Sequence, residues 1–122
     1  MIPHPVPLPP GVRQRHHNEW SALAARFGQT PIETLREAER LVMSIMRDRG
    51  YPYLDPPARP QALAKDHGSL AETYRDARAV MERLDDGSRV GLEEMRAALV
   101  NYRTIVEGLL EGDGDGTGRG PN

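Results

Sequence analysis

Hydrophobic positions recur along most of this chain at spacings of three and four residues, the period of a helix packed on one face. From Val12 to Phe27 the side chains of Trp20, Leu23 and Phe27 fall on one side, and Gly28 closes the segment. A second pattern, opened by "TPIE", puts Ile32, Leu35, Ala38, Val42 and Ile45 in a stripe that Leu41 and Met46 widen. Thr30 is positioned to cap this helix, Pro31 suits its first turn, and Glu33 completes a capping box. Gly50 stands where a left-handed residue ends a helix, and Pro52 biases Tyr51 away from the α region.

A proline-rich connector, "YPYLDPPARPQALAKDHG", leaves room for one short helical turn from Pro60 to Lys65, with Ala62 and Leu63 inward. "SLAE" repeats the capping pattern with Ser69 and Glu72. Leu70, Tyr74, Ala77, Met81 and Leu84 follow, and beyond the turn Asp85–Ser88 come Leu92, Met95, Leu99, Tyr102, Val106 and Leu109. Both sets are heptads. Two such helices joined by so short a turn are expected to lie antiparallel and face each other. The first two helices then cover the apolar flanks Val80, Ile105 and Leu110.

No alternating stretch long enough for a strand occurs. The fold class expected is all-α: a small antiparallel helical bundle of three to four main helices plus a short connector helix. Five prolines within residues 1–10 predict an extended, disordered lead. The glycine-rich residues 112–122 predict a disordered tail, leaving residues 11–111 as the helical domain.

Composition narrows the function classes. The chain has 122 residues, of which 38% are hydrophobic and 28% charged, which suits one soluble domain. A net charge of −2 argues against a nucleic-acid binder held by bulk electrostatics. With no cysteine, disulfides, thiolate metal ligands and a cysteine nucleophile are excluded. No apolar run approaches the roughly 20 residues of a membrane span, and the N-terminal residues do not read as a signal peptide, so a cytoplasmic location is expected. The pairs Glu33/Arg36, Glu37/Arg40, Glu72/Arg75 and Glu93/Arg96 are spaced for support along helix surfaces.

Candidate chemistry is sparse. In "RDRGYPY", Arg47, Arg49, Tyr51 and Tyr53 gather two guanidiniums and two phenols about a helix end, and with His67 they form a candidate ligand or partner surface. Helix termination accounts for the same residues: arginines complement the dipole, and tyrosines cover the open end while their hydroxyls stay wet. Asp66 and His67 are adjacent, a poor placement for a catalytic dyad whose side chains must converge. Ser21, Ser44, Ser69 and Ser88 lack the context of a nucleophile.

His16 and His17, with His4 and Glu19 nearby, diverge around a helix rather than sharing a face as metal ligands do at i, i+4. "DGDGTG" (Asp113 to Gly118) copies the start of a calcium loop but has no acidic residue at position twelve. No catalytic residue, metal or cofactor is assigned. Arg13, Arg15, His16, His17 and Arg26 make the first helix locally basic, suited to a phosphate, a lipid headgroup, an acidic partner or simply water.

At "RLVMSIMRDRGYPY", "KDHGSLAETYRDAR" and "LEEMRAALVNYRTIVEGLL" the chain resembles an uncharacterised, mainly actinobacterial family of small helical proteins. The resemblance spans about Trp20 to Leu110 and implies architecture rather than chemistry. Many members carry an N-terminal membrane anchor, for which this sequence has no counterpart. Gly68 and Arg78 replace the proline and histidine that often stand there in the family.

The function expected is a non-enzymatic helical interaction module, associating with itself as a homodimer or with a partner protein. Two alternatives are a small-ligand or enzymatic site at the bundle end near Tyr51, Tyr53, His67 and Tyr102, and membrane-surface association through the first helix. Nucleic acid is not an expected partner, and a membrane is an unlikely one for this chain.

Overall fold

A computed structural model describes residues 7–52, 55 and 58–115. Among them the chain forms five helices and no strand: α1 (Pro10–Ala25), α2 (Pro31–Asp48), α3 (Arg59–Asp66), α4 (Gly68–Asp85) and α5 (Leu92–Asp115). None of these helices is long and apolar enough to cross a membrane. Tyr53, His4 and residues 116–122 lie outside the described residues, whereas residues 112–115, expected in the disordered tail, belong to α5.

The long helix α5 packs on both α4 and α2, α3 packs on α4, and α1 rests on α2 with a smaller contact to α5. Arg83 at the end of α4 pairs with Glu94 at the start of α5. Leu70 at the start of α4 lies against Gly108 late in α5, where a Cβ would sit 2.8 Å from the leucine's Cδ1. The core is aliphatic, built on Leu35, Val42, Ile45, Leu63, Ile105, Val106, Leu109 and Leu110, all at most 1% exposed.

The buried face of α5 keeps Met95, Tyr102, Val106 and Leu109 of the predicted seam but is centred elsewhere. Met95, Ala98, Tyr102, Ile105 and Leu109, again spaced three and four apart, are buried. Leu92 is 50% exposed, and Leu99 is half-buried against the core. Because α5 packs mainly on α4 and α2, its buried arc is centred between them, and the Leu92–Leu99 edge falls at the margin. Ile32, assigned to the stripe of α2, is likewise 41% exposed. At the other end of the chain Leu8, expected in the extended lead, is 3% exposed and belongs to the core, and α1 begins at Pro10.

Helix ends follow the glycine signals closely, and α2 begins at Pro31 with Thr30 in the cap position as predicted, but the serine signal of α4 is not followed. Gly50 has φ 92°. Its N–H donates to the Arg47 carbonyl at 3.0 Å and the Tyr51 N–H to the Met46 carbonyl at 3.0 Å, the two bonds of a Schellman motif. Gly87, with φ 86°, ends α4 in the same way through Leu84 and Arg83. A side chain at Gly50 meets the left-handed penalty. Gly50→Ala should therefore lower stability by about 1–2 kcal/mol in urea denaturation, and an unchanged midpoint would contradict the assigned φ.

Thr30 and Ser69, by contrast, make no side-chain cap. The Thr30 hydroxyl donates back to the Arg26 carbonyl at 3.3 Å, and α4 starts at Gly68 with His67 in the cap position, ahead of Ser69. The capping interaction that does form is at α5, where Glu94 Oε1 accepts the Gly91 N–H at 3.0 Å. Bonds from Arg83 and Gly91 hold the Glu94 carboxyl below the usual range.

Two of the four predicted i, i+3 ion pairs are replaced by pairs between elements. Glu37 binds Arg26, and Arg36 reaches Asp85 at 2.8 Å, while Arg96 keeps Glu93 at 4.0 Å.

Candidate functional site

The outer face of α2 carries Arg40, Met43, Ser44 and Arg47 at i, i+3, i+4 and i+7, so all four share one side of the helix. Where α2 ends, the Schellman turn swings Tyr51 and Pro52 beside Met46. Arg59 enters from the first turn of α3. Together these residues line a groove of about 440 Å³, within the range of small-molecule sites. Thioether and ring surfaces provide its apolar part, and three guanidiniums provide its charge. A shallower hollow of about 360 Å³ between α1 and α2 shares Arg40 and Ser44 with it.

Behind the groove lies a buried polar cluster centred on Glu39. The residue follows Leu35 by four positions and precedes Val42 by three, so the helix turns its carboxylate inward, and it is 8% exposed. An isolated buried carboxylate is strongly unfavourable, and here donors from three helices surround it. Arg59 Nη1 donates to Glu39 Oε2 at 2.6 Å, the Tyr74 hydroxyl donates to the same oxygen, and the Tyr102 hydroxyl donates to Oε1 at 2.5 Å. Arg78 Nη1 stands 4.0 Å from Oε1, and Arg59 also donates to the Tyr74 oxygen at 2.9 Å. The cluster ties α3, α4 and α5 to α2, and through Arg59 it fixes one edge of the groove.

Burial first, and then the neighbouring Glu39 carboxylate, raise both tyrosine pKa values well above the ordinary phenol value. Both phenols therefore stay protonated as donors at any neutral pH. For an acid whose folded pKa is raised, the stabilisation is complete below the unfolded pKa of ~10 and is lost as pH climbs above it. Phenolate absorbance from Tyr74 and Tyr102 should appear only together with loss of helical circular dichroism. Its amplitude should shrink in Tyr74→Phe and Tyr102→Phe. Ionisation of either residue in a fully helical protein would refute the cluster.

A second buried polar residue docks α1. His16 is fully buried, with Nδ1 2.8 Å from Glu19 Oε1 and Nε2 2.8 Å from Asp48 Oδ2, and Arg15 adds a contact to Asp48 at 3.4 Å. Each ring nitrogen faces a carboxylate oxygen, so the arrangement is complete only when both carry hydrogen. The basic set read along the first helix accordingly does not form one free face: His16 is inside, and Arg15 and Arg26 are ion-paired.

Of the residues singled out in sequence, Arg47 and Tyr51 line the groove. Arg49 does not: it is 2% exposed and donates to the Leu109 carbonyl at 3.1 Å, tying the end of α2 to α5. His67 caps α4 and is absent from the described lining; its N–H donates to the Leu63 carbonyl at 2.6 Å. Tyr102, considered for the same site, is wholly buried in the Glu39 cluster.

Sequence reasoning missed Arg40, Met43, Ser44, Arg59 and Glu39. Two signals were available. Glu39 continues the Leu35–Val42–Met46 spacing with a charge, and two tyrosines stand in facing core positions, where each hydroxyl requires a partner.

Among the described lining there is no carboxylate or imidazole. No three described His, Asp or Glu residues converge as a metal site. Compared with known proteins, the chain matches no family model, no curated protein and no solved structure. Its family is therefore not assigned.

Proposed function

We propose that this chain is a non-enzymatic binding module: a small antiparallel helical bundle that takes a ligand in the groove between the exposed face of α2, the Tyr51–Pro52 turn and Arg59. The observation that carries this reading is the groove itself, concave and about 440 Å³, backed by a cross-linked polar core that holds its walls in place. Preorganised walls reduce the ordering that binding requires. The antiparallel arrangement is supported by the meeting of the end of α4 with the start of α5 and of the start of α4 with the end of α5.

Screening a library of small soluble fragments by amide chemical-shift mapping tests the proposal. Hits should cluster on residues 40–52 and 59, and Ser44→Trp, which fills the groove, should abolish them. Hits scattered over the surface, or unaffected by the tryptophan, would remove the groove as the working site.

A second reading, self-association, rests on Ile32, Leu92 and Val100, which are 41%, 50% and 54% exposed. Light scattering across a concentration series separates the two: a dimer dispersed by Leu92→Glu and Val100→Glu would favour it.

A further inference from the structure

Arg40 and Arg47 differ from most of the arginines around them. Arg15, Arg26, Arg36, Arg59, Arg78, Arg83, Arg96 and Arg103 each lie within ion-pair distance of a carboxylate. Among the described residues, Arg40 and Arg47 have no such partner, although acids stand close by in sequence. Glu37, three residues before Arg40, is bound to Arg26, and Asp48, next to Arg47, is bound to His16 and Arg15. Glu39 is turned into the core and engaged by Arg59, Tyr74 and Tyr102. The acids of α2 that could neutralise this face are thus committed elsewhere, and a chain of net charge −2 keeps a locally cationic groove.

Arg40 and Arg47 are separated by two helical turns, roughly 10 Å along the axis, with Met43 and Ser44 between them. Met46, Tyr51 and Pro52 continue the apolar wall. A guanidinium presents a planar fork of donors that matches carboxylate and phosphate oxygens.

We infer that the groove binds a small amphiphilic anion, a carboxylate or phosphate monoester carrying an apolar body of roughly ten carbons. The anionic head bonds to the Arg40 or Arg47 guanidinium, with the Ser44 hydroxyl available beside it, and the body lies on Met43, Met46, Tyr51 and Pro52. Methionine and tyrosine suit such a body because thioether and ring surfaces adapt to a flexible chain. This inference rests on the groove being the ligand site and adds the chemical class of what enters it.

Isothermal titration of the full chain with decanoate and with decyl phosphate, below their micellar concentrations, tests it. Decanol and inorganic phosphate supply the body and the head alone. Decanoate, decyl phosphate or both should bind at one site per chain, at least about tenfold tighter than decanol, the range set by one charge-assisted hydrogen bond. The preferred head group reveals which anion is meant. Arg40→Gln with Arg47→Gln should weaken binding by about tenfold or more while leaving the melting temperature unchanged, because neither side chain is buried or paired.

Equal binding of decanol and decanoate in the groove, mapped by amide shifts, would overturn the anion assignment while leaving the groove a ligand site. Binding of an acidic helical peptide but of neither amphiphile would overturn the small-amphiphile assignment while leaving the groove a binding site. No shift at residues 40–52 with any probe, the neutral fragments included, would overturn both. Binding insensitive to the double arginine variant would overturn the inference by placing the anion elsewhere.

Discussion

Glu39→Ala is expected to lower the unfolding free energy by about 3–5 kcal/mol, the cost of removing one partner of a buried ion pair. The loss exceeds that of the carboxylate's own bonds. Arg59, 5% exposed, would keep a buried positive charge, and the Tyr74 and Tyr102 hydroxyls would lose their acceptor in the core. Denaturant unfolding followed by circular dichroism measures it, and a loss under about 1 kcal/mol would show that water reaches the site.

The charge can be separated from the shape. Glu39→Gln keeps the volume and should still be costly, because an amide cannot neutralise Arg59. Replacing Glu39 and Arg59 together by leucine should recover much of the loss, since apolar side chains in place of both ions remove the desolvation penalty. Should Glu39→Ala fail to fold, Tyr102→Phe alone gives the graded version, with a loss of about 1.5–3 kcal/mol for one hydrogen bond to a charged acceptor. Loss of Glu39 should also blunt ligand binding in the groove, since Arg59 would no longer be held at its edge.

Leu109→Ala should cost about 2–5 kcal/mol, as a fully buried leucine on the face of α5 that meets the core. Leu92→Ala, in the same helix and equally prominent in the heptad pattern, should change stability by less than about 0.5 kcal/mol, because half of its surface is already in water. Thermal and urea unfolding of the two variants side by side compares the seam predicted from spacing with the one that is packed. Equal losses would mean that Leu92 is covered in solution, which the self-association reading would explain. Leu99→Ala should fall between them, since that side chain is half-buried at the margin.

These contrasts mark how far the residue pattern alone reaches. The all-helical class, the approximate extent of α2 and α4, the short α3 with Leu63 inward, and the glycine ends at Gly50 and Gly87 were legible. Each depends on forces acting within a few residues: helical periodicity, the fixed φ of proline, and the ease with which glycine adopts positive φ. Apolar spacing also identified most of the buried positions of α2 and α4.

The inward side of α5 was legible only in part: Met95, Tyr102, Val106 and Leu109 are buried as their spacing predicts, whereas Leu92 and Leu99 fall at or beyond the margin. Spacing defines a stripe, but its centre is set by how many helices press on it and from where. The threonine and serine caps failed for a related reason. A cap bond depends on how the preceding turn is anchored: α2 begins after Thr30 as predicted but the Thr30 hydroxyl is drawn back to Arg26, and α4 starts ahead of Ser69, at Gly68.

The groove and the Glu39 cluster were the least legible of all. They are assembled from residues up to 63 positions apart, Glu39 and Tyr102. A charged residue inside an apolar stripe signals only that some partner exists. Which arginine answers it, and which arginines are left facing an open groove, are decided once α3, α4 and α5 have packed on α2. Local sequence thus determined where the chain is helical and where each helix stops. Tertiary packing determined which charges neutralise one another in the core and which remain to meet a ligand, because Coulomb attraction and desolvation act through space rather than along the chain.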